Sequence, residues 1–132
     1  MDLNIETNFV RKCIKKEYQE RLLFELSSKK HREKALSRLA HASQSILQNN
    51  CSPISVSDLR RHISHDLVDG KKCYVISGNQ NDGEMLEMRH AIEYFEESSM
   101  LVIVIAPSFV VVKEELEKKA PQILIFNLAL LV

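Results

Sequence analysis

The chain has 132 residues, 45% of them hydrophobic and 27% charged, with 18 Lys and Arg against 18 Asp and Glu. That length suits one domain with a core of its own, and the neutral pI counts against nucleic acid as a partner. Three scattered cysteines (Cys13, Cys51 and Cys73) with no Cys-x-x-Cys pair argue against a disulfide framework or a cysteine zinc site.

The acidic opening Met1–Glu6 lacks the basic-then-apolar order of a signal peptide. The longest apolar runs, Met100–Ala106 and Gln122–Val132, fall well short of the roughly 20 residues that cross a bilayer. A soluble cytoplasmic protein without a membrane partner is the expectation. The charges are unevenly spread: residues 1–72 carry 14 basic against 9 acidic side chains, and residues 73–132 carry 4 against 9. Attraction between the two halves, or a basic half turned toward an acidic partner, follows from that split.

In chain order, Phe9, Val10, Cys13, Ile14, Tyr18, Leu22, Leu23 and Leu26 recur at helical spacing and predict one amphipathic helix from Asn8 to about Ser28. Arg11, Lys12, Lys15 and Lys16 fall on its solvated side. Ala35, Leu36, Leu39, Ala40, Ser43, Ile46 and Leu47 predict a second helix that stops at Asn49-Asn50. After Ser52-Pro53, Ser55 with Asp58 resembles a capping pair, and Val56, Leu59, Ile63 and Leu67 form the stripe of a short third helix. Asp69-Gly70 then marks a turn.

Lys72–Ser77 is an apolar run closed by Gly78-Asn-Gln-Asn-Asp-Gly83, and Glu84–Ser98 has helical spacing with Met85, Met88, Ile92 and Phe95 on its buried face. Met100–Ala106 and Gln122–Phe126 are further apolar runs. Between them, Phe109, Val112 and Leu116 keep helical spacing while Val110-Val-Val112 pulls toward strand, so residues 108–119 stay open between the two. Apolar runs without polar alternation need cover on both faces. The expectation is therefore an α/β fold of one domain over residues 1–132. Its N-terminal helices (1–70) pack on a small, mostly parallel three- to four-stranded sheet built from a β-α-β-α-β portion (71–132). At the level of architecture alone this resembles nucleotide-sensing and signalling domains of Rossmann-like type, and small size with opposite charge on two halves is similar to bacterial immunity and antitoxin proteins.

In a parallel sheet, ligands sit at the carboxyl ends of the strands. The expected ligand contacts are accordingly Ser77, Gly78, Asn79, Asp82, Gly83 and Ser108, held by free backbone N–H groups and the following helix start. The loop matches neither the Gly-x-Gly-x-x-Gly pattern nor a phosphate loop ending in Gly-Lys-Ser/Thr, so no cofactor is expected. His62, His65 and Asp66 share a helical face without a further ligand at metal spacing, so no metal is expected either. Cys13 and Cys73 read as core thiols. Ser77 with His90 is the only nucleophile pairing that suggests itself, and without a Gly-x-Ser-x-Gly elbow no catalytic residue is assigned.

The leading functional expectation is a non-catalytic binding or regulatory protein acting through protein contact, with a partner or as a homodimer. Its surface is the basic stripe Lys29, Lys30, Arg32 and Arg38 or the acidic helix end Glu93, Glu96 and Glu97, with the apolar tail Leu128–Val132 as an anchor. A nucleotide-type ligand sensor or enzyme at the strand ends is the second expectation. Nucleic-acid binding by the basic helices is the third, disfavoured by Glu25 and Glu33 in the same region and by the absence of exposed aromatics for stacking.

Overall fold

The computed structural model describes residues 2–63, 71–78, 80–114 and 123–127, with the backbone alone at 42–44. Among these lie helices α1 (Leu3–Cys13), α2 (Lys16–Ser27), α3 (Lys29–Ile46), α4 (Val56–His62) and α5 (Met88–Glu97). The strands are β1 (Cys51–Pro53), β2 (Lys72–Ser77), β3 (Glu84–Glu87), β4 (Val102–Ile105), β5 (Phe109–Lys113) and β6 (Ile123–Asn127). They form one sheet in the order β1-β6-β5-β4-β2-β3, and every neighbouring pair is antiparallel. No described helix is long and apolar enough to cross a membrane.

The sheet is buried on both faces. Tyr74 and Ile76 of β2, Ile103 of β4, Val110 and Val112 of β5 and Leu124 and Phe126 of β6 join the core beneath α1, α2 and α3. Cys73 and Val75, Val102 and Val104, Phe109 and Val111, and Ile123 turn the other way and pack with Leu59 of α4 and Ala91, Ile92 and Phe95 of α5. Successive strand side chains alternate faces, so a run apolar at every position fills two cores at once. The doubly covered sheet expected from sequence is there.

Its direction is not as expected: the mostly parallel, three- to four-stranded Rossmann-like sheet is replaced by six antiparallel strands. The connections explain this. A parallel neighbour needs a crossover of a dozen or more residues, whereas only Ala106–Ser108 separate β4 from β5, and Ala106 N–H donates to the Phe109 carbonyl across that hairpin. Likewise, the loop after β2 is a hairpin turn in which Asn81 (φ 67°) and Gly83 (φ 77°) take left-handed conformations, open to glycine and tolerated by asparagine. Glu84–Glu87 therefore returns as an edge strand, not as the first turn of a helix. β3-α5-β4 crosses over in parallel sense, with β2 lying between its two strands, and β1 and β2, which flank α4 in the chain, also share one direction across the sheet.

The first helix of the sequence reading divides at Ile14-Lys15, where the backbone becomes extended. Ile14 pairs with Leu47, Lys15 N–H donates to the Ile46 carbonyl at 2.8 Å, and the side chains of Gln19 and Gln48 donate to the Ile14 carbonyl. Buried polar groups at the break are thereby satisfied, which makes the interruption tolerable. Ser55 caps α4 as expected, accepting from Asp58 N–H at 3.2 Å. β1 falls within the portion read as helical and pairs with β6, so the two halves of the chain share one sheet. Residues 109–113 resolve to strand; residues 115–119, Leu67, His65, Asp66, Asn79 and the tail 128–132 lie outside the described residues.

Candidate functional site

The residues expected to bind a ligand end up at opposite ends of the sheet. Ser77 stands at the carboxyl end of β2 opposite Val102, whereas Tyr74, three residues earlier, faces Ile105 at the end of β4. The hairpin carrying Ser108 follows Ile105, so it lies at the far end from Ser77, Gly78, Asp82 and Gly83. In an antiparallel sheet successive carboxyl ends alternate sides, which separates loops that a parallel sheet would gather.

At the Ser77 end the chain builds a closed ionic network. Arg32 of α3 uses all five of its guanidinium N–H donors. Nε and Nη2 donate to the Asp82 carboxylate at 2.8 and 2.9 Å. Nη1 and Nη2 donate to Glu6 of α1 at 2.7 and 2.9 Å, and Nη1 also reaches the Leu26 carbonyl at 3.0 Å. Glu6 is 1% exposed and Arg32 5%. The Tyr74 hydroxyl donates to Glu6 and accepts from Asp2 N–H, while Ser77 N–H donates to Asp82 Oδ1 at 3.0 Å. Burial alone would lower the Arg32 pKa, but its bonds to Asp82 and Glu6 outweigh that and hold it above the usual guanidinium range. Burial and the bond to Glu6 raise the Tyr74 phenol.

Asp82 and Ser77 are therefore both engaged within the protein. Asp82 fastens the hairpin turn to α3. Ser77 is 1% exposed, and its hydroxyl meets the Tyr94 hydroxyl at 2.7 Å, not His90. Tyr94 in turn donates to the Gln80 carbonyl. Gly78 borders a hollow of about 180 Å³ rimmed by Glu33, Ser37 and His41.

The expected contact surfaces also change. Arg32 is buried, and Arg38 holds the buried Glu25 through two bonds of 2.6 and 3.2 Å, pulling the Glu25 carboxyl below its ordinary range. Lys29 and Lys30 remain exposed. On α5, Glu93 and Glu97 are exposed, whereas Glu96 is paired with Arg60 at 2.7 Å. Lys113, buried in β5, donates to the Phe95 and Glu96 carbonyls at 2.8 and 2.9 Å and so closes the C-terminal end of α5; burial lowers its pKa. The pairs Arg32–Asp82 and Arg60–Glu96 each join the basic half of the chain to the acidic half. Among the described residues no group of three His, Cys, Asp or Glu could hold a metal.

The opposite end of the central strands is open. A cleft of about 260 Å³ runs between α1 and the amino-terminal part of β2. One wall is the α1 face bearing Ile5, Asn8, Phe9, Lys12 and Cys13, spaced so that they share one side of the helix. The other wall is made by Lys72, Cys73 and Tyr74, Met85 of β3, and the end of the β4–β5 hairpin from Ile105 to Pro107. Cys13 and Cys73 are buried, and burial pushes both thiols up to about 12, so neither is a nucleophile at neutral pH. Among the described residues, the charged side chains lining the cleft are Lys12 and Lys72.

Sequence reasoning did not find this cleft. It placed Met85 on a buried helix face, whereas Met85 is 50% exposed on an edge strand; Lys12 is exposed as expected and also borders the cleft. The available signal was Asn8 and Lys12 interleaved with Ile5, Phe9 and Cys13 on the same face of α1. No protein-family model, curated protein or solved structure matches this chain.

Proposed function

We propose that the protein is a non-catalytic binding module that holds a small, largely apolar molecule in the cleft between α1 and the amino-terminal end of β2. The observation that supports it is the size and lining of that cleft. Protein interiors are packed closely enough that voids much larger than a water molecule are few. Here about 260 Å³ stays open, walled by Ile5, Phe9, Ile105 and Val110 and the ring of Tyr74. An apolar cavity of about 150 Å³ is enough to take up benzene. Scaled from that, this cleft suits a ligand of about ten non-hydrogen atoms.

The nearby side chains hold and shape rather than react. Tyr74 already donates its proton to Glu6, and the two thiols stay protonated at neutral pH. Met85, flexible and half exposed at the rim, can adjust to the occupant.

Titration with 1-octanol, followed by amide chemical shifts, tests this reading. The expected result is saturable shifts at Ile5, Asn8, Phe9, Cys13 and Ile105 with a Kd of about 0.5 mM, from roughly 0.5 kcal/mol per ligand atom. Shifts scattered over the surface, or none up to the solubility limit of the alcohol, would remove it.

A further inference from the structure

Resting on that reading, we infer that the natural occupant is an amphipathic acid, an apolar body of about ten non-hydrogen atoms ending in one anionic group that meets Lys12 and Lys72 at the mouth of the cleft. Two independent features point the same way. The first is the lining itself. Among the described residues its apolar floor is interrupted by charge at two positions, both cationic, with no carboxylate among the described lining residues. The second is how these lysines are left. The ion pairs among described residues are made by arginines, and Lys12 and Lys72 make none with a described residue; what distinguishes these two from other lysines is that they line the cleft. Glu87 is the cross-strand partner of Lys72 in the register, yet no ion pair joins the two.

The geometry separates the two parts of such a ligand. On α1, Phe9 is buried while Lys12, one turn on, is exposed; on β2, Tyr74 is buried while Lys72, at the start of the strand, is exposed. Each wall thus runs from an apolar floor to a cation at the rim. The long lysine stems can lie along the apolar surface and keep their ammonium groups in water. An anion there is partly solvated, so its desolvation cost is small. Asn8 sits one turn before Lys12 on the same wall and supplies an amide donor to the same region. The Arg32 network at the other end offers no competing anion site, since all five guanidinium donors are spent within the protein.

Three probes of one shape, octanoate, 1-octanol and octylammonium, isolate the charge. Binding of each to the full chain is measured by calorimetry at low salt. The expected order is octanoate first, about 5- to 10-fold tighter than octanol, with octylammonium weakest, as up to two exposed ion pairs allow. The octanoate preference shrinks as salt is raised. The double substitution Lys12→Gln and Lys72→Gln abolishes the preference, so that octanoate and octanol bind the variant equally, and leaves the melting temperature unchanged, both side chains being exposed.

Equal binding of octanoate and octanol overturns the acid while leaving the cleft as a binding site. A preference that survives in the double variant also overturns it, because the anion is then held elsewhere. If none of the three probes binds, the cleft reading falls together with this one.

Discussion

The two ends of β2 solve opposite problems. At its carboxyl end, Glu6, Arg32 and Asp82 are drawn into or beside the core, and each charge is met by another at hydrogen-bond distance. At its amino end, apolar side chains stop short of filling the space, and Lys12 and Lys72 stand at the rim with no ion pair to a described residue. Charge density alone does not tell a binding site from a structural joint; what separates them is unmet valence. Burying charges costs several kcal/mol per ion unless the geometry returns it, so a buried cluster survives only when closed. A closed cluster has nothing left with which to recognise a ligand. The open cleft does.

The largest expected effect comes from opening the closed end. Arg32→Met leaves the 1% exposed Glu6 and its neighbour Asp82 without their cation, and should lower unfolding free energy by about 3–5 kcal/mol in urea titrations. The triple variant Glu6→Gln, Arg32→Met, Asp82→Asn removes all three charges together and should recover most of that loss. If Arg32→Met costs less than about 1 kcal/mol, the network behaves as a surface ion pair and the contrast between the two ends collapses.

Alkaline pH probes both ends with one sign. The unfolded thiols of Cys13 and Cys73 lose their protons above pH 9.0, while burial keeps the folded thiols protonated to about 12. Across that window the unfolded chain binds fewer protons than the native one, so stability falls as pH rises, by up to about 1.4 kcal/mol per pH unit for each thiol. Tyr74, also raised by burial, adds to the loss above pH 10.0. Unfolding free energies measured across the window should therefore decline, and Cys13→Ala with Cys73→Ala should flatten the early part of the decline. An unchanged slope would mean that the thiols at the cleft end are not buried as described.

These contrasts were only partly legible in the sequence. The apolar runs at Lys72–Ser77 and Met100–Ala106 announced strands covered on both faces, because each position had to serve one core or the other. Strand direction was not encoded in those runs; it followed from the short Ala106–Ser108 link and from the left-handed turn at Asn81 and Gly83. In Val110-Val-Val112 the β-branched preference prevailed over the helical spacing of Phe109 and Val112, since antiparallel neighbours stood on both sides. Cys51–Pro53 carries no strand signal of its own and is a strand only because β6 pairs with it. At the site, the sequence marks Ser77 and Asp82 as special but does not name their partners, because Asp82 pairs with Arg32, 50 residues away, and Ser77 meets Asp82 and Tyr94. The cleft needs α1 to meet Tyr74, more than 60 residues away, and no local pattern states such a meeting.

The smallest effect sharpens the comparison most, because it uncouples binding from stability. Asn8 lies on the α1 wall of the cleft, exposed, where asparagine is a poor helix former. Asn8→Leu should stabilise the protein by about 0.5 kcal/mol through helix propensity, with some added burial. The same leucine projects beside Ile5 and Phe9 and takes up space that a ligand would occupy, so octanol affinity should fall several-fold while the urea midpoint rises. A matched substitution at the other end has no such option, since every donor and acceptor around Arg32 is already assigned and replacement can only subtract. If Asn8→Leu raises stability and leaves octanol binding intact, the ligand does not use the α1 wall. If it lowers stability, the asparagine amide is bonded in place, and the cleft end is as closed as the other.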